Sequence, residues 1–204
     1  MTTQPLPLLA PLDQYQGQAD QLLAAFQGSL PAALDFFHHH HPRFLDSTVT
    51  WKPKDLAESE IAGASLDLDD ARLAVARGYS FRDWAALVEH VGAIATPGSP
   101  VREFELAAEA VLDGDLGTLD RMLGANPALV RARSARITCH DPPVHRATLL
   151  HYLAANGIEG YRQRTAPNAV AVATRLLTAG AEVDALMDAY GGECTTLSML
   201  VSSS

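Results

Sequence analysis

The sequence predicts an all-α protein. Its apolar residues recur three and four positions apart, as on one face of a helix, and valine, isoleucine and threonine seldom alternate with polar residues. Gly28, Gly78, Gly114 and Gly157 each follow one apolar helical stretch and precede another, at separations of 50, 36 and 43 residues. These spacings lie near the range of helix–turn–helix repeats, so the pattern predicts four helix pairs.

The N-terminal region, residues 1–95, contains the first two predicted pairs. The first pair covers Ala19–Phe26 and Pro31–His41, because proline suits the first turn of a helix. The second pair covers Asp69–Arg77 and Phe81–Val91, and its second helix has an apolar stripe at helical spacing. The order of these helices shows no regular repeat, so we expect an irregular helical region.

Two local signals mark the middle of the chain. Ser80 followed by Asp83 predicts a capping box at the start of the next helix. The segment Thr96–Pro100 is rich in turn residues and predicts a linker. The linker divides the N-terminal region from a second domain, residues 101–204.

The second domain continues the paired pattern. The third pair is predicted at Arg102–Leu112 and Leu116–Leu123. In the fourth pair, Thr148 and Asn168 are predicted to cap the two helices, which end at Gly157 and at a left-handed Gly180. A fifth unit begins near Thr195, and the chain ends before a partner helix, so the last unit is expected to be incomplete.

The phrase Thr148-Leu149-Leu150-His151, followed by Leu176-Leu177-Thr178-Ala179-Gly180-Ala181, resembles an ankyrin repeat. The resemblance covers 101–204 and is nearest to bacterial proteins of this family with a helical N-terminal region. It implies a short ankyrin-like solenoid in which the histidine bonds to the capping threonine and to nearby backbone. Leu149 stands where the family has proline, and Ile158–Pro167 is an insertion between the two helices. The family implies protein binding, with no catalysis and no cofactor.

Composition limits the other functions. The net charge of −9 opposes a global attraction to nucleic acid or anionic lipid. Two cysteines are too few for a disulfide framework, and no apolar run approaches the roughly 20 residues that span a bilayer. The N-terminus lacks the features of a secretory signal. We therefore expect a cytoplasmic protein without a membrane partner.

Two histidine-containing segments raise metal or catalytic alternatives. In the run His38–His41, at best two rings share a helix face, so a structural role or a tag is the simpler interpretation. Cys139, His140 and His145 have metal-ligand residue types, but their spacing matches no known zinc arrangement. A metal-dependent or Cys/His enzyme centred on these three residues stays an alternative, although we predict neither a metal site nor a catalytic residue.

The insertion and the loop before it carry the candidate binding residues. Six arginines lie between 131 and 164, in an otherwise acidic chain, and Tyr161 lies among them. Tyrosine and arginine supply large contact areas and bidentate recognition of carboxylates and phosphates. The candidate partner-binding residues are Tyr161, Arg162, Arg164, Arg131, Arg133, Arg136 and Arg146. Pairing of these arginines with local acids, and phosphate or nucleic-acid binding, are the alternatives.

The leading hypothesis is a non-enzymatic protein–protein interaction module. The incomplete last unit adds a second expectation, because solenoid ends need a polar outer face. An apolar face here would pack against the N-terminal region or against a second copy of the chain. The residues of that possible homodimer contact are Leu197, Met199, Leu200 and Val201.

Overall fold

The computed structural model describes residues 5–154, 158–162, 164–189 and 191–202. It divides into two compact units, which are described separately below. The first unit is residues 1–91 with 138–140, and the second is residues 92–137 with 141–204. The described chain is mostly helical, which confirms the all-α class at the level of secondary structure.

The first unit is built on helices whose apolar faces meet. Its elements are α1 Leu12–Gln27, α2 Pro31–His40, a 3₁₀ turn Pro42–Phe44, α3 Glu58–Ala62, α4 Leu68–Gly78 and most of α5 Trp84–Ala95. Helix α1 packs against α4 and α2, and α2 packs against α3 and α4. The buried residues Tyr15, Ala19, Leu22 and Phe26 recur at three- and four-residue spacing along α1, so burial of this stripe holds the helix in place.

Local capping explains where two helices of the first unit begin. The Asp67 carboxylate accepts the backbone N–H groups of Asp69 and Asp70, while the Asp70 carboxylate accepts the N–H of Asp67. The capping box predicted from Ser80 is wrong, because Ser80 has a left-handed φ of 62° in the preceding turn. Asp83 alone caps α5 by accepting the Ala86 N–H at 2.9 Å.

The second unit contains α6 Pro100–Asp113, α7 Leu116–Ala125, a 3₁₀ helix Pro127–Arg131, a 3₁₀ helix Leu149–Ala154, a 3₁₀ turn Gly160–Arg162, α8 Ala169–Thr178, two short strands and α9 Thr196–Ser202. The predicted linker Thr96–Pro100 is a bonded corner: the Ser99 hydroxyl donates to the Ala93 carbonyl and accepts the Arg102 N–H. The division between the units falls at 91/92, ahead of that corner.

The turn between α6 and α7 depends on glycine. Gly114 has a φ of 71°, and a Cβ atom built on it would lie 2.0 Å from Asn168 Oδ1. Asn168 Nδ2 donates to the Gly114 carbonyl at 2.9 Å, and the Asn168 side chain makes no capping bond to α8. Asn168 therefore stands at the predicted N-cap position of α8, but its side chain does not cap the helix, because its amide bonds to the turn between α6 and α7.

The fourth pair differs from its prediction in the first helix. The segment Leu149–Ala154 is a 3₁₀ helix, and Gly157, which is predicted to end it, lies outside the described residues. Helix α8 ends next to Gly180, whose φ of 97° confirms the predicted left-handed position. The 149–154 helix packs against α6, α8 and α9, and α7 packs against both α6 and α8.

A β-hairpin precedes α9, although the sequence predicts no strands. Strands β1 Met187–Ala189 and β2 Gly192–Cys194 pair antiparallel, with Met187 opposite Cys194. Three-residue strands are too short to show an alternating pattern, which explains why the sequence does not reveal them. The core of this unit includes the fully buried side chains Val111, Leu119, Leu149, Leu176 and Met187. Among the described residues, no helix is both long and apolar enough to cross a bilayer.

Candidate functional site

His151 is buried at the centre of the second unit and bonds in two directions. Its Nδ1 accepts the backbone N–H of Thr148 at 3.1 Å and lies 2.8 Å from the Thr148 hydroxyl. The ring proton is therefore on Nε2, which donates to the Cys194 carbonyl at 3.2 Å. Burial lowers the pKa of His151, so the ring is neutral at pH 7. These are bonds of the kind expected from the ankyrin resemblance.

Four charged side chains form a buried ion cluster in the same unit: Glu105, Arg136, Glu159 and Arg162. Arg162 Nη1 lies 3.1 Å from Glu159 Oε2 and also contacts Glu105, while Arg136 Nη2 lies 3.3 Å from the same Glu105 oxygen. All four side chains are at most 5% exposed. Two positive and two negative charges balance, which is the condition under which charges are tolerated in a core.

Two tyrosines complete the buried ion cluster. The Tyr152 hydroxyl donates to Glu159 at 2.8 Å, and the Tyr161 hydroxyl accepts from Arg136 Nη1 at 2.7 Å. Burial, reinforced by Glu159 and Glu105, raises the pKa of Tyr152 well above its ordinary value. Burial alone would lower the pKa of Arg136, but Glu159 and Glu105 outweigh it and raise that pKa. The pKa of Arg162 is raised for the same reason, chiefly by Glu105 and Glu159, so both arginines stay charged at neutral pH.

Helix α6 supplies the acids that hold the insertion. Glu105, Glu109 and Asp113 stand four residues apart and so share one face of the helix. Arg162 contacts Glu105 and Glu109, and Arg164 contacts Glu109 and Asp113 at 2.6 Å each. The described part of the 158–167 insertion therefore lies along α6 and is fastened to it by consecutive ion pairs.

This arrangement corrects the position expected for several candidate binding residues. Arg136 and Arg162 are buried in ion pairs, because α6 and Glu159 provide carboxylates that require cations in the core. Tyr161 is half-buried against Arg136, and Arg164, although exposed, is paired with two acids. In this conformation none of the four presents an unpaired group to a partner.

The other three candidate arginines, at positions 131, 133 and 146, precede the hairpin in the chain. Arg131 and Arg146 are exposed, and neither has an ion-pair partner among the described residues. Arg133 Nη1 donates to the carbonyls of Arg146 at 2.8 Å and Leu186 at 2.5 Å, so its guanidinium joins the loop to the segment before β1. Whether these arginines contact a partner stays a prediction.

A surface cleft of about 300 Å³ lies beside the hairpin. We call it the hairpin cleft; its lining residues are Arg133, Arg146, Glu182, Asp184, Ala185, Leu186, Asp188 and Glu193. The lining therefore carries four acids and two arginines around a small apolar floor. The sequence does not reveal these acids as a group, because they come from the connection after α8 and from two short strands that have no helical pattern.

The residues of the Cys/His alternative belong to different units. Cys139 and His140 belong to the first unit, and burial raises the pKa of the Cys139 thiol, which reduces its thiolate fraction. His145 belongs to the second unit, where its Nδ1 donates to the Asp188 carbonyl at 2.7 Å. Within the described ranges, no three histidine, cysteine or acidic side chains are grouped to hold a metal ion.

The histidine run is divided among separate local contacts. His38 Nε2 donates to the Lys54 carbonyl at 2.7 Å, and His39 lies beside Asp35. His41 Nδ1 accepts the Arg43 N–H, and its Nε2 donates to Asp70 at 3.1 Å. The His40 ring packs on Phe36, and burial with help from His39 and Arg77 lowers its pKa to about 4.

The expected apolar face of the last unit is only partly exposed. Met199 is buried in the core of the second unit, because α9 packs against the 149–154 helix. The prediction that Met199 belongs to an exposed contact face is therefore wrong. Leu197, Leu200 and Val201 are exposed, and a homodimer through them stays a prediction.

The comparisons with known proteins add no assignment to this geometry: no family model, no curated protein and no solved structure matches the chain.

Proposed function

We propose that the chain is a non-enzymatic protein–protein interaction module of the ankyrin-repeat type, with the second unit as a short solenoid. The packing partners support this proposal. The helices in first position, α6, the 149–154 helix and α9, contact one another in sequence, and those in second position, α7 and α8, contact each other. Contacts between corresponding helices are what a stack of repeats requires.

The bonds of His151 carry the proposal. The ring ties the start of its own helix, at Thr148, to the Cys194 carbonyl at the end of the hairpin. It therefore links one helical unit to the entry of the next. A buried histidine used in this way connects adjacent repeats by hydrogen bonds, and we assign it neither as a metal ligand nor as a general base.

The proposed binding surface consists of exposed groups of the second unit. Arg131 and Arg146 keep their guanidinium groups unpaired among the described residues, so they can form ion pairs with a partner without first breaking any. Arg162 and Arg136 are assigned to the fold instead. The proposal therefore moves partner binding from the insertion to the loop around 131–146 and the hairpin.

Affinity capture with the full-length chain tests this function. Wild-type protein and the double variant R131A/R146A are used to capture proteins from a lysate of the source cells. The matched control is R164A/R175A, which removes two exposed arginines of the same unit that already pair with Glu109, Asp113 and Asp120. Circular dichroism confirms folding of each variant.

We expect the wild type and R164A/R175A to retain the same proteins, and R131A/R146A to lose them. Capture of no protein above the level of a heat-unfolded sample would overturn the interaction function. Equal capture by all three folded proteins would instead show that Arg131 and Arg146 lie outside the contact surface.

A further inference from the structure

The hairpin cleft carries more acidic charge than the fold uses. We propose that it receives a lysine- or arginine-bearing segment of a protein partner, an inference that rests on the interaction function proposed above. The cleft has about 300 Å³ of space, and its lining comes from the loop before the 149–154 helix, the connection after α8 and strands β1 and β2. Its shape and its charge are the two observations that support the assignment.

The acids of helices α6 and α7 are used by the fold. The carboxylates of α6 and α7 accept from side chains of the same unit: Glu103 from Asn126, Glu105 and Glu109 from Arg162, Asp113 from Arg164, and Asp120 from Arg175. The four acids of the cleft differ from these. Glu182, Asp184, Asp188 and Glu193 have no cationic partner among the described side chains.

Unpaired like charges that converge on one cleft repel one another, and a cationic ligand removes that repulsion. The formal charges of the lining are four negative and two positive. Arg133 and Arg146 offset only two of the four acidic charges, and neither makes an ion pair among the described residues; the Nη1 of Arg133 is bonded to two backbone carbonyls. The cleft therefore keeps a net negative field in an exposed position.

The spacing of the acids selects an extended cation rather than a metal ion. No three of the described carboxylates or histidines are close enough together to coordinate one ion. A peptide carries its amino or guanidinium groups several ångströms apart, which matches acids spread over three chain segments. Phosphate groups of a nucleic acid would meet four carboxylates here, which is unfavourable.

The lining also supplies apolar contact for the aliphatic part of such side chains. Leu186, which lines the cleft, is 39% exposed. Lysine and arginine pack their methylene groups on apolar surface while the charged end meets an acid. Arg133, fixed by its carbonyl bonds, keeps Leu186 and the Arg146 loop together before any partner arrives.

Peptide titration with the full-length protein tests this assignment. The probe is a fluorescein-labelled hexapeptide of alternating lysine and leucine, and the comparison peptide has glutamate in place of lysine. Fluorescence anisotropy measures affinity, and amide chemical shifts locate the contact. The test variant is E182Q/D184N, and the matched control is D20N/E58Q, which removes two exposed acids of the first unit.

We expect the lysine peptide to bind in a salt-sensitive manner and to shift the amides of residues 182–193. We expect E182Q/D184N to bind it about fivefold more weakly, the size expected for two exposed ion pairs, and D20N/E58Q to change affinity less than twofold. Equal weakening by both variants, shifts outside 182–193, or preference for the glutamate peptide would each overturn the assignment.

The capture experiment separates this assignment from the interaction function. In one outcome, the wild type captures partners, E182Q/D184N retains all of them, and the lysine peptide does not bind. This outcome supports the interaction function and refutes the role of the cleft. If no protein is captured while the lysine peptide binds at the cleft, the cleft is confirmed as a cation-recognising site and the interaction function fails.

Discussion

Replacement of Arg162 by methionine should strongly destabilise the second unit. Arg162 is 3% exposed and contacts Glu105 and Glu159, whose side chains are at most 5% exposed. The change would leave two buried carboxylates facing Arg136 alone, so the buried ion cluster would carry an excess negative charge. Loss of one partner from a buried pair costs about 3–5 kcal/mol, and we expect that loss in the free energy of unfolding.

The double variant E105Q/R162M tests whether charge balance is the cause. It removes one charge of each sign and leaves Arg136 with Glu159, 3.8 Å apart in the present structure. We expect its cost to be smaller than the sum of the two single changes by about 1–3 kcal/mol. R164M is the surface control; its two ion pairs are solvent-exposed, and we expect a loss of about 0–1 kcal/mol.

Urea unfolding followed by circular dichroism gives these free energies, provided that the slopes agree between variants. Trp51 and Trp84 both belong to the first unit, so tryptophan emission monitors that unit separately. A loss of less than 1 kcal/mol for R162M, or additive single and double variants, would refute the argument from buried charge. An R164M effect as large as that of R162M would refute the distinction between core and surface pairs.

Three further predictions concern other parts of the fold. H151A should lower the free energy of unfolding by about 2–5 kcal/mol in urea titration, because it leaves the Thr148 N–H and the Cys194 carbonyl without their hydrogen-bond partner. A loss below 1 kcal/mol would contradict the structural role of His151. The folded pKa of His40, about 4, lies below its ordinary value of 6.5, so its neutral form is favoured in the fold. Stability should therefore be full above pH 6.5 and fall by up to about 3 kcal/mol as the pH drops toward 4, and H40F should flatten this slope; an unchanged slope would exclude His40. G114A should lower the melting temperature more than G98A, because both glycines have positive φ but only Gly114 faces Asn168 and Ala166; equal shifts would show that the close approach relaxes freely.

The helices could be predicted because their evidence is local. Helices α2, α4, α6 and α7 could be predicted from signals that lie within a few residues of each other. These signals are the spacing of apolar residues, a proline in the first turn and a glycine near the end. The Thr148–His151 bonds also follow from a short phrase. Such features need no knowledge of which distant segments meet, so one sequence is enough to place them.

The buried ion cluster could not be predicted in this way. Arg162 and Glu105 are 57 residues apart, and nothing in either segment shows that they meet. The available signal was Glu105 itself, a charged residue between Phe104 and the buried Ala107 on an apolar helix face. A charge on a core-facing position implies a cation elsewhere in the chain, and the 131–164 stretch, with six arginines, is a rich source of one.

The arginines show why local charge is a weak guide to a binding surface. The 131–164 stretch is basic in sequence, but acids of α6, together with Glu159, neutralise Arg136, Arg162 and Arg164 in the folded unit. A partner interacts only with the charges that remain unpaired on the surface of the folded unit. By that measure the exposed candidates are Arg131 and Arg146, and the unpaired acids of the hairpin cleft outnumber them.

The same reasoning explains how the insertion and the cleft can have different roles in one unit. Residues of the insertion meet acids at four-residue spacing on a rigid helix, so each added arginine strengthens the fold. The acids at the cleft lie on the connection after α8 and on two three-residue strands, and neither lining arginine, Arg133 or Arg146, forms an ion pair with them among the described residues. Under the function proposed here, a partner supplies them, and binding should weaken as salt rises while the ion pairs of the buried cluster remain intact.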